Sequence, residues 1–280
     1  MSGLVAIPEV GLRAQALLQA ALATAQARTD VLLGGLTLLL MLVGMRVALG
    51  IARFVHMYYL RPALNPCSFG PWAVVTGASE GIGRALSNLL AEKGVNIVLV
   101  SLPEPRLHEA AAELESKYGV KTRTVPIELC KNEGATTFAT IRAALKDIEV
   151  GILVNCAGLY QPPAFLEELP DQRILDMLTI NSYVPTMLCK MVLPDMRARG
   201  RGLVVNIGSA TASLMQEAPL LQGYAATKAY LDNLSRSLDA EYAPFGVRVQ
   251  CIWAAFVATR MTPNLTSGAR LSLTLTHFTL

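Results

Sequence analysis

Between Trp72 and Trp253, short runs rich in valine, isoleucine and leucine alternate with longer stretches of helical spacing, and this alternation leaves the chain few folds. Strands are expected at Trp72 to Thr76, Asn96 to Ser101, about Lys121 to Ile127, Gly151 to Asn155, Gly202 to Ile207 and Val247 to Trp253. Helices are expected at Gly83 to Lys93, Pro105 to Tyr118, Asn132 to Lys146, Asp171 towards Arg197, and Gly223 to Tyr242. Right-handed crossovers set such strands side by side, so the expected class is α/β: a Rossmann-type, doubly wound parallel sheet with helices on both faces.

At 280 residues the chain holds one sizeable domain plus an appendage. Its hydrophobic fraction of 52% is more than one soluble core needs, so some apolar sequence is buried elsewhere. The run VLLGGLTLLLMLVGMRVALGIARFV over residues 31–55 supplies it, with no charge in its first fifteen positions. Residues 31–51 as a helix cover a hydrocarbon slab of about 30 Å, with Arg46 near enough to one end to snorkel. A buried core helix lacks support, because a soluble helix keeps a polar face. A cleaved signal peptide fits less well, because no basic stretch immediately precedes the apolar run.

Residues 1–30 form an N-terminal segment whose Leu12 to Ala27 stretch suits a helix lying on the membrane surface. Arg46, Arg53, His56 and Arg61 follow the core of the span, whereas Arg13 and Arg28 are balanced by Glu9 and Asp30, which places the C-terminal domain in the cytosol. Tyr58 and Tyr59 suit the interface, and Pro62, Pro66, Gly70 and Pro71 stiffen a linker over 56–71. Five widely spaced cysteines without a CxxC pair indicate neither a disulfide framework nor a metal site, and fit a reducing compartment. A net charge of +3, scattered along the chain, argues against nucleic-acid binding.

The first strand runs into Thr76-Gly77-Ala78-Ser79-Glu80-Gly81-Ile82-Gly83, with a helix expected from the last glycine. Glycines there permit a tight turn and let backbone amides and a helix N-terminus face a pyrophosphate, although an isolated glycine cluster also reads as an ordinary turn. The fourth strand ends in Asn155-Cys156-Ala157-Gly158, where small residues let a cofactor lie across the strand ends. Tyr224 and Lys228 lie four apart on one helix face, where a cation favours phenolate and makes proton transfer feasible at neutral pH. Ser209, after the fifth strand, is placed to donate to a substrate carbonyl, with Thr211 a weaker substitute. Asn181, in the middle of the long helix, either faces solvent or holds a water leading to Lys228.

TGASEGIG, NCAG, Asn181, Ser209 and YAATK stand in the order and approximate spacing of the short-chain dehydrogenase/reductase family. With YLRP, VGILVN, KAYLD, GVRVQC and VATRMT, residues 55–265 resemble its membrane-anchored branch of very-long-chain 3-oxoacyl-CoA reductases and 17β-hydroxysteroid dehydrogenases, the plant-like reductases most of all. The resemblance implies NADPH-dependent reduction of a 3-oxoacyl-CoA to the 3-hydroxyacyl-CoA during fatty acid elongation at the endoplasmic reticulum membrane. It also implies a lipidic substrate, elongation-complex partners and a homodimer.

On this resemblance Tyr224 is the acid, Lys228 lowers its pKa and holds the ribose, Ser209 polarises the carbonyl and Asn181 organises the proton relay. Gly77, Ser79, Gly81, Ile82 and Gly83 hold the cofactor phosphates; Asn155, Ala157 and Gly158 line the adenosine side; Val257 and Thr259 face the nicotinamide. The sequence departs from the family at Ser101-Leu102, which lacks the usual 2′-phosphate arginine, leaving Arg84 or Arg106 to serve. Glu128, NCAG and Ala254 are further departures. The domain is expected over 72–265 and a divergent tail over 266–280, with the family's last strand and cap region missing. A 17β-hydroxysteroid or other lipid-alcohol dehydrogenase and a membrane-bound pseudoenzyme or scaffold with a truncated C-terminus are the alternatives.

Overall fold

The structure, a computed structural model, describes residues 7–56, 65–131, 135–213 and 217–254. It divides into two units: one carries the N-terminal helix, the other everything described from Asn65 onward.

Among its described residues the first unit holds a single helix, α1 (Ile7–Val55), so the surface helix and the membrane helix expected separately are one continuous element there. No glycine pair or proline interrupts the segment between them strongly enough to stop propagation once the helix has started. Its 49 residues extend about 74 Å. From Arg13 to Val55 it is long and apolar enough to cross a membrane, with Leu32, Leu36, Leu38, Leu39 and Leu40 all exposed in the isolated chain. Thr24, Thr29 and Thr37 fold their hydroxyls back onto carbonyls one turn earlier at 2.7–2.9 Å, which leaves no donor of theirs facing outward. α1 is a candidate membrane span.

The second unit begins with β1 (Trp72–Thr76), α2 (Gly81–Glu92), β2 (Asn96–Ser101), α3 (Pro105–Tyr118), β3 (Thr122–Pro126), α4 (Ala135–Leu145) and β4 (Val150–Asn155). Next come α5 (Asp171–Leu178), a π-helical turn over Thr179–Tyr183, α6 (Val184–Arg199), β5 (Gly202–Ser209), a short α7 (Ala210–Ser213), α8 (Gln222–Tyr242) and β6 (Val247–Ala254). All strands pair in parallel, in the order β3-β2-β1-β4-β5-β6. Every residue of β4 and β5 is buried, as expected of central strands covered by helices on both faces. One core joins Val74, Leu153 and Val204 of the sheet to Leu188, Val192 and Met196 of α6.

Several expected boundaries move by a residue or two, and three of the changes bear on the site. α2 starts at Gly81 rather than Gly83. The long helix expected from Asp171 is broken by the π turn, because Asn181 within it is drawn to the loop after β4. β5 runs on through Ser209, so that serine ends the strand instead of following it. The expectations for 56–71 fall partly, and those for Val257, Thr259, the tail and a missing last strand wholly, outside the described residues.

Candidate active site

The parallel sheet brings the carboxyl ends of β1, β4 and β5 together, and the chemistry-bearing residues gather there. Gly77 and Gly81 adopt left-handed backbone, φ +65° and +60°, which bends the chain from β1 into α2. Thr76 fastens this bend to β4: its Oγ1 accepts from the amides of Cys156 at 2.9 Å and Ala157 at 3.0 Å. A Cβ on Gly77 would lie 3.1 Å from Ala157, and one on Gly83 would lie 2.2 Å from the Gly77 carbonyl oxygen. Only glycine at 83 lets α2 begin so close to the strand. Glu80 stands at the N-cap of α2 and makes no side-chain cap bond, so the first-turn amides keep their anion-binding character. Ile82 is half-buried just behind them.

Ser79 and Ser101 share a hydroxyl–hydroxyl hydrogen bond of 2.8 Å across the ends of β1 and β2. The two arginines considered for a 2′-phosphate are both in ion pairs, Arg84 with Glu113 at 2.6 Å and Arg106 with Glu80 at 3.0 Å. Glu128, one of the departures from the family pattern, is paired with Lys131 at 2.8 Å.

Asn155 does something other than expected. Its side chain is 4% exposed and turns into the sheet, donating to Asn206 Oδ1 at 2.7 Å; Asn206 Nδ2 donates to Ser235 Oγ at 2.8 Å, and that hydroxyl donates to the Leu231 carbonyl at 2.6 Å. The result is a buried polar ladder linking β4, β5 and α8, with Asn155 Oδ1 left without a hydrogen-bond partner. Ala157 and Gly158 do face the strand ends, and a Cβ on Gly158 would stand 3.1 Å from Asn181 Oδ1 and 3.5 Å from Lys228 Nζ.

Asn181 is 1% exposed, which removes the solvent-facing alternative. Its Oδ1 accepts from the Leu159 amide at 2.8 Å, while Nδ2 donates to the Leu159 carbonyl at 2.9 Å and to Thr227 Oγ1 at 3.1 Å. It thereby clamps the loop after β4 to α8, on which Tyr224 and Lys228 sit.

Lys228 Nζ lies 5.8 Å from the centre of the Tyr224 ring and donates to the Ile207 carbonyl of β5 at 2.7 Å. Burial lowers the pKa of this ammonium. The Tyr224 phenol is raised above its ordinary value, chiefly by burial, with the Ser209 hydroxyl pulling it down and Tyr160 pushing it up. This differs from the direction expected from Lys228, because the lysine is turned to the Ile207 carbonyl and desolvation is the larger effect. Ser209 is 7% exposed, and its hydroxyl is 2.8 Å from that of Thr211, which acts as its neighbour rather than its substitute. Nearby thiols are inert: burial pushes Cys156 up to about 12 and Cys251 up to about 11, and all five cysteines are free. Among the described residues no cluster could hold a metal ion.

Sequence reasoning passed over Thr76, Tyr160, Gln161 and Thr227. Thr76 lies inside the glycine-turn phrase, and Thr227 inside YAATK, so their positions were visible though their contacts were not. Tyr160, whose ring meets that of Tyr224 edge-on at 5.4 Å, has no local signal, nor has Gln161.

A family model described as short chain dehydrogenase matches residues 71–270. The chain is 37% identical over 222 residues to a very-long-chain 3-oxoacyl-CoA reductase of Anas platyrhynchos, covering 77% of this chain and 70% of that protein. It is 38% identical over 195 residues to the inactive hydroxysteroid dehydrogenase-like protein 1 of Homo sapiens, covering 69% of this chain and 58% of that one. A short-chain dehydrogenase from Sphingobium yanoikuyae, solved in complex with NADPH, superimposes with a TM-score of 0.64 at 31% identity, covering 69% of this chain and 73% of that chain. Among these curated relatives the chain spans between 58% and 70% of their length. The matched span contains the whole described sheet, from β1 to β6, with the strand ends at which the site lies: the chain belongs to the short chain dehydrogenase family, whose fold is that of NAD(P)-dependent oxidoreductases.

Proposed function

We propose that this chain is a membrane-anchored reductase that uses NADPH to convert a 3-oxoacyl-CoA to the 3-hydroxyacyl-CoA, in very-long-chain fatty acid elongation. The observation that carries this reading is the convergence of Ser209, Tyr224 and Lys228 on one strand-end site beside a glycine turn built to receive phosphate. The turn fits a dinucleotide: Gly77, Ser79, Gly81, Ile82 and Gly83 offer close backbone approach and uncapped helix amides, and Ala157 and Gly158 supply a surface with little side chain. When bound, the nicotinamide supplies the hydride that reaches the carbonyl carbon.

The protein's own residues do the rest. Ser209 donates a hydrogen bond to the carbonyl oxygen and stabilises its developing charge. Tyr224, protonated at neutral pH like any phenol and held further from ionisation by its burial, gives that oxygen the proton. Lys228, anchored on the Ile207 carbonyl, provides the positive charge that offsets the phenolate left behind. Asn181 keeps the floor of the site in place and stands next to Lys228 across Gly158. Preference for NADP over NAD, the endoplasmic reticulum membrane, a cytosolic catalytic domain, elongation-complex partners and a homodimer belong to the same proposal. α1, with its apolar surface, supports a lipid-side location.

A second reading draws on the relatives named as inactive hydroxysteroid dehydrogenase-like proteins: a chain that keeps the fold without turnover, or that acts on a steroid alcohol. Purified protein titrated with NADPH and NADH, then assayed on 3-oxoacyl-CoA and steroid panels, separates the readings. The reductase is expected to bind dinucleotide and to lose about 10²–10⁴ in kcat in Tyr224→Phe while binding is retained. Turnover of a steroid without 3-oxoacyl-CoA reduction overturns the substrate, and absence of dinucleotide binding overturns the enzyme.

A further inference from the structure

The first amides of a helix have no partner within it, and the third helical residue is a usual recipient of a capping acceptor. In α8 that residue is Tyr224, and the N-cap, Leu221, makes no side-chain cap bond. The acceptor comes from far away in the chain: the Tyr224 amide donates to Gln161 Oε1 at 3.3 Å, while Gln161 Nε2 donates to the Leu220 carbonyl at 2.9 Å. Leu220 has φ +64°, the one non-glycine residue with positive φ among the described residues, and its carbonyl also accepts from the Ala164 amide at 3.1 Å. Gln161 is 0% exposed, and a Cβ on Gly223 would stand 3.1 Å from its Oε1 and 2.7 Å from Met177 Cε. A buried amide with both ends bonded has one position open to it, and the backbone it holds inherits that position.

We propose that Gln161 is a positioning residue that caps α8 across the fold, holding Leu220 in its left-handed conformation and thereby setting the height of Tyr224 over the substrate carbonyl. The inference rests on the reductase reading for its rate effect and on geometry alone for its structural effect. Proton transfer needs a donor within about 2.6–3.2 Å, and a misplacement of about 1 Å costs on the order of 10²-fold in rate. Gln161 is fully buried with both ends of its amide bonded to backbone, so its loss is expected to change kcat and to leave binding alone.

The test uses the full chain in detergent micelles with two variants. Gln161→Met keeps the shape and removes both bonds; Gln161→Glu keeps an acceptor for the Tyr224 amide and removes the donor to Leu220. For Gln161→Met, kcat for 3-oxoacyl-CoA reduction is expected to fall about 10- to 100-fold, with KM and the NADPH Kd changed less than about threefold. Hydrogen exchange at the Tyr224 amide is expected to rise roughly tenfold or more, with β4 and β5 unchanged. Gln161→Glu is expected to keep that amide protected yet lose kcat, and it carries the test if Gln161→Met does not fold. Wild-type kcat in a folded variant, or a Tyr224 amide that exchanges at the wild-type rate in Gln161→Met, overturns the proposal. If the unmodified protein reduces no 3-oxoacyl-CoA, the reductase reading falls, while the exchange measurement still decides the role of Gln161.

Discussion

Replacing Lys228 by methionine is expected to make the protein more stable while abolishing turnover. The ammonium is 6% exposed, and its hydrogen bond goes to the Ile207 carbonyl; among the described residues no carboxylate pairs with it. Burying such an ion costs several kcal/mol after relaxation, and a charge-assisted hydrogen bond returns about 1.5–3 kcal/mol. Methionine fills nearly the same volume without the charge, so Lys228→Met is expected to gain about 1–2 kcal/mol net. For a domain of this size that is a rise of about 2–8 °C in Tm.

The pH dependence gives a second check on the same reasoning. Burial holds the folded-state pKa of Lys228 below its ordinary 10.5, so between the lowered value and 10.5 the unfolded chain binds more protons than the folded one. Wild-type stability therefore rises with pH across that interval, and below it this group contributes no slope. Lys228→Met lacks the rise, so its advantage is largest at pH below the lowered pKa and shrinks as pH approaches 10.5. Thermal melts of the two proteins in the same detergent, at several pH values, measure both effects. A melting temperature lowered by Lys228→Met, or an advantage that grows with pH, refutes the view of Lys228 as a buried charge held at a cost to stability.

Gly158→Ala pushes a methyl group to 3.1 Å from Asn181 Oδ1, so the Asn181 amide that clamps Leu159 must give by a few tenths of an ångström; a loss of about 1–3 kcal/mol in urea unfolding and a reduced kcat are expected, and unchanged values of both would sink this account of Gly158. Reduction needs the Tyr224 phenol protonated, and burial raises its pKa, so kcat is expected to stay level through neutral pH and fall only at alkaline pH, while oxidation of a 3-hydroxyacyl-CoA climbs as pH rises. Because the Ser209 hydroxyl lowers the phenol's pKa, Ser209→Ala is expected to move the alkaline limb of the pH–rate profile upward as well as reducing the rate; a limb that moves downward contradicts the assignment.

Much of the second unit was legible in the sequence because β1, β2, β4 and β5 are buried along almost their whole length and read as nearly unbroken aliphatic runs. WAVVT and NIVLVS match β1 and β2 at both ends. Where local patterning failed, a distant contact had decided the matter. The helix pattern through Asp171 to Arg197 is continuous in sequence, yet Asn181 is held by Leu159 and the helix takes a π turn to let it. Position in the glycine-turn architecture located Ser209, Tyr224 and Lys228, but not where the lysine points, which depends on the Ile207 carbonyl one strand away. Gln161 was invisible because its partners, Leu220 and Tyr224, lie about sixty positions later, and a glutamine in a loop carries no periodicity. Asn155 shows the complementary case: it sits beside the site in sequence, yet its Nδ2 is spent on Asn206 one strand away.

The buried ladder from Asn155 through Asn206 to Ser235 bears on how the chain finds its fold as well as on what the fold does. Asn155 and Asn206 are direct partners in the β4–β5 register, and a slip of one residue would point their side chains to opposite faces. Each amide buried without its partner would cost roughly 1–3 kcal/mol. Aliphatic strands such as VGILVN and GLVVNI offer many nearly equivalent pairings, and the two asparagines penalise all but one. Sorting therefore happens as the sheet assembles, so that Gly158, Ser209 and α8 come to the same level before any ligand arrives.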